Sequence, residues 1–258
     1  MLGALSLMLL LALGATLPAH LVNLIPGRPA FRLRDRAAGL MFYGHPFEHE
    51  VLDLERPESL RALGPDGKAI DLAPSLASEK VRGAEGRQVT RWAWNFEPAL
   101  RGDFIISGTC RPRPWGEENG MVKDFVKAVI HVQAERGWDR LTGDPLEIEP
   151  LTRPYGIRPG SVYLGRALYE GKPLEGVMVE IEHANPEAPA KLPEEPFITR
   201  TVKSGPGGLF ASTLDEAGWW SFTVSKAGGT LSQGGKDVPL TLRTTFWVYA
   251  GEPLEAGR

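Results

Sequence analysis

Short apolar segments, each cut off after a few residues by glycine or proline, constrain this chain more than any other feature. Glycine opens positive φ, while proline fixes φ and removes a hydrogen-bond donor, so neither sits easily inside a helix. With 30 glycines and 22 prolines among 258 residues, the pattern predicts an all-β chain with many turns. Gln88–Phe96 sets Val89, Arg91, Ala93 and Asn95 against Thr90, Trp92, Trp94 and Phe96, the period of two expected of a strand with one buried face. Ser59–Leu63 and Lys68–Leu72 flank Gly64-Pro65-Asp66-Gly67, a turn in which proline presets φ and glycine accepts its positive value.

The same reading predicts strands at Phe31–Leu33, Leu40–Tyr43, Val51–Leu54, Asp103–Cys110 and Leu146–Ile148. Val122–Ala134 fits strand or helix, and the β-branched run Val129-Ile130-His131-Val132 favours strand. His131, flanked by valines there, reads as a hydrogen-bonded core or edge histidine. Pro145, Pro150, Pro154 and Pro159 cluster in one stretch, which places a domain boundary near Pro154. Residues 20–153 then form an N-terminal β domain and residues 154–258 a C-terminal one. Strands are expected in the latter at Ser161–Tyr169, Val177–His183, Phe197–Lys203, Leu209–Ser212, Gly218–Val224 and Leu240–Tyr249. That spacing suggests two β-sandwich-like domains of immunoglobulin or transthyretin character. The second is expected to have its own core of Val179, Ile181, Phe210, Trp220, Phe222 and Trp247, with Trp94 buried in the first. His183 reads as a solvated residue at a strand end.

Leu2–Leu13 is almost wholly apolar and no charged side chain precedes Arg28. The run is too short to span a bilayer, which takes about 20 residues. With Gly14, Pro18 and the small Ala19 after it, it reads as a secretory signal peptide over residues 1–19. The mature protein is therefore expected to be exported, periplasmic and soluble, and to begin at His20. Its free α-amine and imidazole would then chelate one ion together. A net charge of −3 gives no reason to expect nucleic acid as a partner. A single cysteine, Cys110, rules out an internal disulfide framework and a cysteine-rich zinc site; it reads as a small buried hydrophobe.

Two of the five histidines fall in Tyr43-Gly44-His45-Pro46-Phe47-Glu48-His49-Glu50. Imidazole nitrogen and carboxylate oxygen are donors for a borderline divalent cation. His45 to His49 also matches H-x-x-E-H, a metallopeptidase signature that needs both histidines on one helical face. Here the flanks read as strands, so peptidase chemistry is not expected. There is no G-x-S-x-G, and Gly205–Gly208 lacks the lysine and hydroxyl residue of a phosphate loop. No enzymatic activity is expected.

Several motifs follow one another in order: Gly44-His45-Pro46-Phe47-Glu48, Pro114-Trp115, Lys127 with the apolar run after it, and Gly137-Trp138. Leu146–Thr152, Gly171–Val177, Ala217–Phe222 and Trp247-Val248-Tyr249 complete the series. In this order and spacing the chain resembles the exported component family that accompanies nickel and cobalt uptake transporters, many members of which are described only as a domain of unknown function. The resemblance implies a periplasmic, mostly β protein that binds Ni²⁺ or Co²⁺ for a membrane permease, with a histidine at the mature N-terminus as the metal contact. Where relatives carry a His-Tyr pair before the lysine, this chain has Asp124-Phe125; the site is then altered, or uses Asp124.

The expected ligands are His20 first, His45 and His49 as partners, and Glu48 as ligand or orienter. The leading function is a nickel/cobalt-binding accessory protein delivering its ion to a membrane metal-uptake permease complex. Two alternatives stand beside it. One is a copper-binding exported protein with an N-terminal histidine chelate, since Cu²⁺ outranks Ni²⁺ at most nitrogen sites. The other is a surface module that binds another protein and no metal.

Overall fold

The computed structural model describes residues 20–83, 86–115 and 120–252. The expected signal peptide lies outside them. In chain order the strands are β1 (Leu21–Pro26), β2 (Ala30–Phe31), β3 (Ala37–His45), β4 (Glu50–Leu52), β5 (Ser59–Leu63), β6 (Ala69–Asp71), β7 (Ala77–Arg82), β8 (Gln88–Phe96) and β9 (Gly102–Thr109). They continue with β10 (Arg113–Trp115), β11 (Gly120–Val132), β12 (Leu146–Pro150), β13 (Ser161–Tyr169), β14 (Lys172–Pro173) and β15 (Met178–His183). The last four are β16 (Arg200–Lys203), β17 (Leu209–Leu214), β18 (Gly218–Gln233) and β19 (Lys236–Ala250). The fold is all-β and sandwich-like, as the turn-rich sequence predicts. The start of the expected strand Phe197–Lys203 is instead a single helical turn, Glu195–Ile198, with Pro196 where proline is tolerated.

Three sheets form. The first follows the order β1-β3-β8-β7, with β4 added to β3. The central one has ten strands and runs β16-β15-β18-β19-β11-β9-β5-β6, with β10 and β2 added to β11. The third joins β12, β13, β14 and β17. One core packs Val22, Leu24, Met41 and Trp94 of the first sheet against Phe104, Val126, Ile130 and Trp247 of the central sheet. The other packs Ile148, Tyr163, Ala167 and Phe210 of the third sheet against Ile181, Trp220, Phe222 and Phe246 of the central sheet. The central sheet thus serves two cores, one on each face.

β19 shows how. Phe246 and Val248 enter one core while Trp247 and Tyr249 enter the other, as period-two alternation requires. Trp247 is therefore not part of the C-terminal core in which the sequence pattern puts it. β11 pairs in parallel with β19 from Met121↔Leu240 to Ala128↔Trp247. Strands buried on both faces read as continuous apolar runs, which is why periodicity in Val122–Ala134 leaves helix open and the β-branched run has to favour the strand that forms. This pairing also carries the central sheet across the boundary expected near Pro154. Past the pairing of β11 with Leu240, β18 and β19 continue as a two-stranded ribbon from Thr230↔Pro239 to Gln233↔Lys236. It turns at Gly234 and Gly235, both at positive φ, as the favoured two-residue hairpin demands.

Candidate metal centre

The site is built by register. β1 lies antiparallel to β3 with Leu21 opposite Gly44, so the next residues outward are His20 and His45. On its other edge β3 pairs with β4 through His45↔Glu50. His20, His45 and Glu50 are therefore neighbours in one row across three strands, where directly opposed side chains meet. Their donor atoms all lie within 4.8 Å of one another. His20 Nε2 is 2.9 Å from Glu50 Oε2, and the two imidazole rings are 4.8 Å apart between centroids. An ion held at about 2.1 Å puts adjacent donors about 3 Å apart and opposite ones about 4.2 Å apart. The widest separation in the row, 4.8 Å, exceeds even the spacing of opposite donors, so its side chains would have to draw together to share one ion.

The end of this hairpin is tightly specified. Gly44 has φ 147°, and a Cβ placed on it would meet the Glu50 carbonyl oxygen at 2.0 Å. Asn23 is fully buried, and its Nδ2 donates to the carbonyls of Leu21 at 3.0 Å and Gly44 at 3.1 Å. The second contact crosses from β1 to β3 and helps hold the register that brings His20 beside His45.

His45 is 2 % exposed. Its Nδ1 faces Glu182 Oε2 at 3.6 Å, and its buried Nε2 has no protein partner among the described residues. A carboxylate behind one ring nitrogen with the other left open is the usual setting of a metal-binding histidine. Burial by itself lowers the pKa of His45; the neighbouring carboxylates of Glu182, Glu48 and Glu50 outweigh it and leave the value raised. Glu182 also accepts a hydrogen bond from the Phe47 amide at 3.1 Å, so one side chain orients both the histidine and the turn after it.

The expected partners Glu48 and His49 fall on that turn and do not join the row. His49 has φ 59° and is exposed; its Nε2 lies 2.7 Å from the Asn185 carbonyl oxygen. Glu48 lies beside the row, its carboxyl pushed up by burial and partly offset by His45. The turn occupies residues 46–49, so the position opposite His45 belongs to Glu50. Asp124 is no ligand either: Arg243 Nε donates to its Oδ1 at 2.6 Å and Arg113 Nη1 to its Oδ2.

The remaining histidines serve structure. His131 Nδ1 is 2.8 Å from Asp103 Oδ1, and the Tyr155 hydroxyl donates to the same oxygen at 2.8 Å. His183 is buried rather than solvated, 4.6 Å from the Trp220 ring between centroids, and its Nε2 lies 3.0 Å from the Ala217 carbonyl oxygen. Lys127 and Glu147, from two of the sequence motifs, meet as a buried ion pair at 2.6 Å.

Fold and row together define an all-β protein with a cross-strand group of two histidines and one carboxylate able to hold a metal ion. The chain belongs to the family described as a domain of unknown function, DUF4198, whose model matches residues 19–228. No curated protein sequence matches it. Among solved structures it overlaps a mutant Salmonella α-2-macroglobulin at 13% identity and TM-score 0.26, over 88% of this chain and 15% of that one. It overlaps a Legionella pneumophila DUF4785 family protein at 10% identity and TM-score 0.30, over 79% and 50%. For murine CEACAM1b the figures are 9%, 0.22, 89% and 98%. The chain thus spans half or less of the first two structures, and overlaps this slight carry no functional argument.

Proposed function

We propose that this is an exported, periplasmic accessory protein that binds one Ni²⁺ or Co²⁺ ion at His20, His45 and Glu50 and passes it to a membrane uptake transporter. One observation carries the metal half of this reading: three donors of suitable type converge across three strands, and one is a buried imidazole nitrogen with no other partner. Two imidazoles and a carboxylate suit a late first-row divalent cation better than Mg²⁺ or Ca²⁺, which prefer all-oxygen sites. Three protein donors leave coordination positions open, as a carrier that must release its ion requires. Cleavage after Ala19 would add the α-amine of His20 as a fourth donor. The delivery half rests on the sequence resemblance to transporter-associated exported proteins.

Processed protein dialysed against equal concentrations of Ni²⁺, Co²⁺, Cu²⁺ and Zn²⁺, followed by metal analysis, tests the first half. One equivalent of metal per chain, lost in His45→Ala, is the expected result. Protons compete for the donors, so occupancy should fall on acidification. Exclusive retention of Cu²⁺ even when copper is scarce would favour the copper reading. Nickel uptake by cells lacking the gene tests the second half, with reduced uptake expected. Metal-free protein at all four ions would remove the proposal.

A further inference from the structure

β15 and β16 are joined by residues 184–199, whose one helical turn is Glu195–Ile198. A connection this long inside a compact fold is uncommon and generally serves to bind or to cover. It borders the metal row at both ends. At its start, Glu182 stands behind His45 and accepts the Phe47 amide, and the Asn185 carbonyl oxygen lies 2.7 Å from His49 Nε2. At its far end, Glu195 acts on the same turn. Burial raises the Glu48 carboxyl, and the Glu195 carboxylate adds to that against the pull of His45.

The segment presents side chains rather than packing them. Pro186, Pro189, Pro193 and Pro196 limit its freedom before any partner arrives, which lowers the entropy lost on binding. The Phe197 amide donates to the Glu194 carbonyl at 2.9 Å and the Thr199 amide to the Glu195 carbonyl at 3.0 Å, so the helical turn closes on itself. Ile198 is 5 % exposed and anchors it. Neighbouring residues on such a turn point about 100° apart, and Phe197 is 74 % exposed, with Leu192 at 45 %. No other large apolar side chain among the described residues is as exposed as Phe197. The same segment carries Glu187, Glu194 and Glu195 against Lys191 alone. Arg200, next along, is taken by Asp215 at 2.6 Å.

An exposed aromatic on a stiff support, with charge of one sign about it, has the form of a docking anchor. The negative charge disfavours nucleic acid and anionic lipid and suits a positively charged protein surface. We infer that residues 184–199 dock this protein onto the protein that receives its ion, by seating Phe197 in an apolar pocket rimmed with arginine or lysine. The inference rests on the delivery reading above, which makes that partner an uptake transporter. A surface beside the row fits a hand-over, since the ion then leaves close to where the partner is held.

Nickel uptake tests it, in cells lacking the gene and complemented with the full-length chain or its variants at equal exported level. Ni²⁺ titration of each purified protein runs beside it. Phe197→Ser should lower uptake at least about threefold while binding Ni²⁺ as the unaltered protein does. Glu187→Lys combined with Glu194→Lys should do the same, because it reverses the charge that meets the partner. His45→Ala differs from both in losing the metal as well as the uptake. Full uptake with either docking variant, where deletion of the gene lowers uptake, would overturn the inference alone. Uptake unaffected by deletion would overturn the delivery reading and this inference together. Sedimentation of the purified chain covers the remaining case. A dimer that Phe197→Ser makes monomeric would give the surface to a second copy and overturn the inference.

Discussion

Two of the groups that join histidine to carboxylate, one at Asp103 and one at His45, are built to opposite ends. At Asp103 each oxygen is taken: His131 and Tyr155 share Oδ1, and the Arg136 amide donates to Oδ2 at 2.7 Å. That group closes on itself and ties β9, β11 and the segment around Tyr155 together. At His45 one nitrogen faces a carboxylate and the other, among the described residues, has no hydrogen-bond partner. That group is left with a free donor beside His20 and Glu50. Satisfied buried polar groups hold a fold together, and an unsatisfied one facing further donors marks a place for a ligand.

Substitutions should separate the two groups cleanly. The largest effect on stability is expected for Asp103→Ala, which strands the buried Tyr155 hydroxyl and leaves the part-exposed His131 ring and Arg136 amide without their acceptor. Chemical denaturation should show a loss of about 3–5 kcal/mol, with nickel affinity of the folded fraction unchanged. His45→Ala should be set apart by its effect on binding, lowering nickel affinity about 100-fold or more, with some loss of stability because the buried Glu182 carboxylate loses its imidazole. Glu182→Gln keeps its size but loses the charge behind His45, and should cost about tenfold in affinity. The smallest effect concerns Cys110. Burial, aided by the Asp124 carboxylate, pushes its thiol up to about 12, so the thiolate is essentially absent at pH 8. The native protein should resist alkylation for hours at that pH and react promptly once unfolded; rapid native labelling would contradict its placement.

Much of the fold was legible because turn residues and alternation state it locally. Ser59–Leu63, Gln88–Phe96 and Ser161–Tyr169 are strands with the expected bounds. β1 was not, since Leu21–Pro26 follows directly on an apolar stretch of sequence and alternates poorly. Trp247 was legible as buried but not as belonging to the opposite core, because a strand apolar on both faces does not say which face meets which layer. In the site, His20 and His45 fall where the sequence reading wanted them. Glu50 was missed in favour of Glu48 and His49, although the signal was present: a turn over Pro46–His49 pairs residue 45 with residue 50. Glu182 was out of reach, being brought to His45 from the far side of the chain by packing alone.

The central claim is that the metal is held by a row across three strands, and not by the compact motif His45–His49. Isothermal titration of Ni²⁺ into processed protein, with Glu50→Gln and Glu48→Gln measured side by side, tests this most directly. Both changes remove one carboxylate charge within a few residues of His45, so their general electrostatic effects are comparable. The row predicts that Glu50→Gln weakens binding by about tenfold or more and that Glu48→Gln changes it less than about threefold. Equal losses, or a larger loss at Glu48, would contradict it.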